Sequence, residues 1–158
     1  MSDPYIWLKW VHILSATILF GTGLGTAFQM WITHMRGNVA AIAVTARNVV
    51  LADWLFTLPS GIIQPVTGAM LIAHVGYSPH SSWLSVSYVL YAIALLCWLP
   101  VVWLQIKIAK IANESHETNN PLPPLYYTYM RRWFVLGWPA FIALLAVFYL
   151  MIAKPELW

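Results

Sequence analysis

Charge is scarce in this 158-residue chain: eight Lys and Arg with five Asp and Glu amount to 8% of residues, where soluble domains carry about a quarter. A soluble core is therefore excluded as the explanation of its composition, which is 61% hydrophobic with a mean hydropathy of +0.71. Cysteine is nearly absent too. Cys97 alone, inside an apolar run, rules out a disulfide framework and any Cys-x-x-Cys chemistry. The chain also lacks Gly-x-Ser-x-Gly, His-Glu-x-x-His and a phosphate-binding loop, which disfavours hydrolytic and nucleotide-driven enzymes. Its start, Met1-Ser2-Asp3-Pro4, has no basic region of the signal-peptide kind, so the first apolar run is expected to remain as a true span.

What the chain does have is four long apolar runs, at about Tyr5 to Ile32, Val49 to Val75, Trp83 to Ile108 and Tyr129 to Ala153. Each exceeds the roughly 20 residues that cross about 30 Å of hydrocarbon. Backbone groups in lipid must pair within their own segment, and strand-like alternation is absent, so helices are expected. The predicted fold is all-α, a single integral-membrane four-helix bundle in contact with the lipid bilayer. Tyr5, Trp7, Trp10, Trp31, Trp54, Tyr77, Trp83, Trp103, Trp133 and Trp158 fall mostly towards span ends, as an aromatic belt would.

Basic residues set the expected orientation. Arg36 and Arg47 flank the first connection, and Lys107, Lys110, Arg131 and Arg132 flank the third. The second, Gly76 to Ser82, has none. The positive-inside rule then places connections one and three in the cytoplasm and both termini outside, in a bacterial inner membrane. The net charge of +3 reflects this clustering and not a nucleic-acid partner. Pro59 and Pro65 are expected to kink span two. Gln64, Thr67 and Gly68 surround the second kink, either lining a cavity or satisfying the carbonyls it frees.

His12 lies about two turns inside span one, a depth at which an ionisable side chain usually faces the bundle interior. Lys9, Ser15, Ala16, Leu19 and Gly23 share its face, leaving room for a flat ligand. Antiparallel pairing brings the end of span two, with His74, to the same membrane side. Met70, one turn deeper, is the substitute partner. Haem iron accepts His or Met axially and imidazole suits copper, so His12 with His74 or Met70 is the candidate metal or haem pair. The alternative is that these histidines only hydrogen-bond neighbouring helices. His80 and His116 read as loop residues, and His34 lies on the cytoplasmic side. Gly21 and Gly25 have the small-xxx-small spacing of close helix packing; that face is compatible with a homodimer. Asp53 and Arg47 stand within expected reach of Arg131 and Arg132, as a salt-bridge cluster or an anion clamp.

The string Lys9-x-x-His12-Ile13-Leu14, followed by Phe20-Gly21, resembles an uncharacterised family of bacterial predicted integral membrane proteins related to CopD-type copper-resistance proteins and HemJ-type protoporphyrinogen oxidases. That resemblance implies a bundle whose first-span histidine, here His12, binds haem b or handles copper, with Lys9 as the lysine preceding it. The expected function is a haem b-binding redox protein. It would transfer electrons or oxidise a small lipid-soluble donor such as a quinol, with haem between spans one and two near the outer face. Copper handling is the alternative, as is a cofactor-free structural subunit or small transporter.

Overall fold

The structure, a computed structural model, describes residues 3–158. It is all-helical, with four helices long and apolar enough to cross a membrane. Helix α1 runs from Pro4 to Arg36. Asp3 caps it by accepting from the Tyr5 N–H at 3.0 Å, and Pro4 occupies the first turn, where no donor is needed.

Gly37 ends α1 at φ 70°, a left-handed conformation that favours glycine. Asn38 then caps α2, Val39–Ala52, by accepting from the Ala41 N–H at 2.9 Å. The first connection is therefore a two-residue corner. Residues 39–48, expected outside the second span, are already helical. Val39, Ala40, Ala41 and Ile42 continue the helix, and Arg47 and Asn48 ride on it.

A π-helical turn, Asp53–Thr57, follows without a break and leads into α3, Leu58–Val75. Its physical cause is Pro59. The ring has no N–H and would clash with the carbonyl four residues back. A widened turn relieves both, and the Leu58 N–H accordingly reaches the Asp53 carbonyl, five residues away. Gly76, at φ 78°, ends α3. Helix α4 spans Ser82–Glu117, past the predicted apolar limit, and α5 spans Pro124–Ala153.

Both termini and the second connection lie at one end of the bundle, the terminal end; the other two connections form the loop end. Helix α3 packs along α1, α2 along α4, and α4 along α5. The largest buried cluster sits at the loop end. Ala43 and Ala46 of α2 and Ala109 and Ala112 of α4 let backbones approach around Ile42, Ile108 and Tyr126. A smaller cluster, Trp83, Leu84 and Leu150, closes the terminal end. Between the two, the α1–α3 pair stands off the α4–α5 pair, with only side chains bridging them.

Candidate functional site

That central gap is a cavity of about 640 Å³, within the size range of small-molecule sites. Its walls come from α1 between Leu19 and Trp31, α3 between Leu58 and Val66, α4 between Tyr91 and Gln105, and α5 between Trp133 and Leu144. Glycine makes the room. A Cβ at Gly23 or Gly137 would meet nothing within 4 Å, and one at Gly61 would meet only the Tyr91 hydroxyl at 3.7 Å. Aromatic contacts bridge α1 and α5: Phe20 on Phe141 at 5.2 Å, and Trp31 on Phe134 at 4.3 Å. Tyr91 ties α4 to α3 by donating to the Gly61 carbonyl at 2.5 Å.

At its loop end the lining turns polar. Asp53 begins the π-helical turn and is 5% exposed; its Oδ1 accepts from Thr57 Oγ1 at 2.7 Å. No basic residue pairs with it, so neither the salt-bridge cluster nor the anion clamp expected with Arg47, Arg131 and Arg132 forms. Arg47 precedes the π turn by almost two helical turns, and Asp53 points inward. Among the described residues the one ion pair is Lys110 with Glu114, exposed on α4. Trp133, expected in the interfacial belt, instead turns into the bundle at 5% exposure.

The sequence-predicted site residues stand nearer the terminal end. His12 Nδ1 lies 2.7 Å from Thr67 Oγ1. Thr67 donates its single hydroxyl proton to the Ile63 carbonyl at 2.7 Å. With the hydroxyl proton on that carbonyl, the Thr67 oxygen accepts from Nδ1–H of a neutral His12, whose Nε2 then carries a lone pair. Gln64 Nε2 donates to the His12 carbonyl at 2.6 Å and to Ser15 Oγ at 2.5 Å. Gln64, Thr67 and Gly68 thus bind α3 to α1, with Gly68 against the His12 ring: a Cβ there would stand 3.5 Å from Cε1. Ala16 sits one turn from His12 towards the cavity.

His74 is not brought to His12. Tyr5 meets His74, His12 meets Thr67 and Ser15 meets Gln64, so α1 and α3 run antiparallel in one unbroken register. Seven residues separate Thr67 from His74, about 10 Å along the helix. His74 stacks on Tyr5 at 5.8 Å, and Lys9 lies over that same Tyr5 ring at 5.7 Å. Met70 is 53% exposed, and His80 is in the exposed second connection. His34 Nδ1 pairs with the buried Tyr126 hydroxyl at 3.0 Å, away from all of these. Among the described residues no three His, Cys, Asp or Glu side chains gather as a metal site, and no histidine lines the cavity.

Sequence reasoning passed over the cavity because tertiary packing creates it. One signal was available: Asp53 is the only acidic residue inside any of the four apolar runs. These features define an integral membrane four-helix protein with an apolar cavity between its helices, open to the surroundings past exposed residues such as Phe28 and Ile62. Residues 6–155 match the family described as predicted integral membrane protein (DUF2269), and the chain belongs to that family. No curated protein and no solved structure matches it.

Proposed function

We propose that the protein binds a small lipid-soluble molecule within its transmembrane bundle. The observation that carries this reading is the central cavity, apolar over nearly all its wall and opened by glycines on three helices. An apolar pocket with a few convergent polar groups is the usual form of a small-molecule site. A phenylalanine at Gly137 would project into that space while favouring the α5 helix. Organic extraction and mass spectrometry of protein purified in mild detergent should find a lipid-soluble compound near one per chain, and far less of it in Gly137→Phe. Identical extracts from the two proteins would refute the reading.

A second reading, haem b ligation, is favoured by the contact of His12 Nδ1 with Thr67 Oγ1. An Nδ1–H held by a neighbour, with a free Nε2, is the arrangement of metal-bound histidines. Bound haem would supply redox chemistry, with a quinol-type molecule as a suitable donor. His12 would hold the haem iron, and Thr67 would orient its ring. His74 does not stand opposite, so a bis-histidine site is not part of this proposal. Copper is a weaker form of it, since among the described residues no three His, Cys, Asp or Glu side chains gather at His12. A pyridine haemochrome assay should detect haem in the wild type and a loss of most of it in His12→Ala, with helical content kept. Unchanged haem content in that variant would remove His12 as a ligand.

A further inference from the structure

Four buried side-chain atoms of the described residues have no hydrogen-bond partner: Asp53 Oδ2, Trp98 Nε1, Gln105 Oε1 and Trp133 Nε1. All four residues line the one cavity. Asp53, Gln105 and Trp133 are each more than nine-tenths buried. Gln105 and Trp98 lie beside the Asp53 carboxyl but outside regular hydrogen-bond geometry. Leaving such groups unpaired is unfavourable, and a polar group on a molecule in the cavity would relieve that cost.

We propose that Asp53 and the indoles of Trp98 and Trp133 recognise the hydroxyl of a lipid-soluble aromatic alcohol, a phenol- or quinol-type ring whose apolar remainder fills the cavity. This rests on the cavity being a ligand site.

The donor set selects the group. The two indole N–H groups only donate, while Gln105 Oε1 and Asp53 Oδ2 present acceptor oxygens. A carboxylate would meet the Asp53 carboxyl. An ammonium would face two indole donors, and a ketone would leave both acceptors unmet. A hydroxyl both donates and accepts, so it can take an indole proton and give its own to Asp53 Oδ2. The walls select the ring. Gly23, Gly61 and Gly137 remove side chains from three helices, and Phe134 and Trp138 offer aromatic faces for stacking.

The test is calorimetric titration of detergent-solubilised protein, with micelle-only blanks, using 2-naphthol, its methyl ether 2-methoxynaphthalene and 1-decanol. Wild type should bind 2-naphthol roughly tenfold more tightly than the ether, which cannot donate. Asp53→Leu, which removes the acceptor of the naphthol proton, should bring that tenfold preference for naphthol over the ether down towards one. Equal binding of naphthol and ether by the wild type would overturn the head-group assignment, whatever the variants do. Decanol binding as tightly as naphthol would overturn the ring. Gly137→Phe should abolish both naphthalene titrations; if both persist, the cavity reading itself fails, which separates that failure from failure of the head-group site.

Discussion

Tyr126→Ala should lower stability by about 3–5 kcal/mol, the range for truncating a large buried aromatic side chain. Tyr126 is fully buried where α5 begins, and its ring meets Tyr127 edge-on at 5.2 Å. Truncation leaves a void in the densest part of the bundle and orphans His34 Nδ1. Tyr126→Phe removes only the hydroxyl, so it should cost about 0.5–1.5 kcal/mol. At roughly 2–4 °C per kcal/mol for a chain of this size, thermal unfolding in detergent resolves the two variants. Equal midpoints for them would mean that the hydrogen bond, and not packing, secures the loop end.

The second large effect is a contrast of sign. Ala112→Leu and Gly137→Leu both add bulk to a small residue. Ala112 is fully buried within the α2, α4 and α5 cluster, where added methylenes force side chains off their rotamers at about 1–3 kcal/mol. Gly137 faces open cavity, and replacing glycine inside a helix gains up to roughly 1 kcal/mol of propensity. In ligand-free protein, the midpoint should fall for Ala112→Leu and hold or rise for Gly137→Leu. A comparable fall in both would show that ligand-free protein has no open space beside Gly137.

The four spans were legible because lipid imposes a length and a composition that no soluble helix needs. The ends of the helices were not, since apolar runs mark where hydrocarbon begins and caps mark where a helix does. Gly37-Asn38 carried the true boundary, a left-handed terminator followed by an N-cap. The polar step Gln64–Thr67 was also visible, and it does tie α3 to α1 through His12 and Ser15. The register of that pairing decides that His12 meets Thr67 and not His74, and register is a property of two packed helices. Trp98 and Trp133 show the same limit: composition and position in a span do not say which indoles turn inward.

The widened turn at Asp53–Thr57 also has a meaning in residue counting. A turn closed by a five-residue bond holds in effect one residue more than its α-helical counterpart. One extra residue rotates everything after it by about 100° around the axis. The segments before and after it therefore present different sides from one unbroken rod, and α2 can lie on α4 while α3 lies on α1. A deletion of one residue between 53 and 57 would keep the hydropathy profile intact and still turn one half of the helix away from its partner.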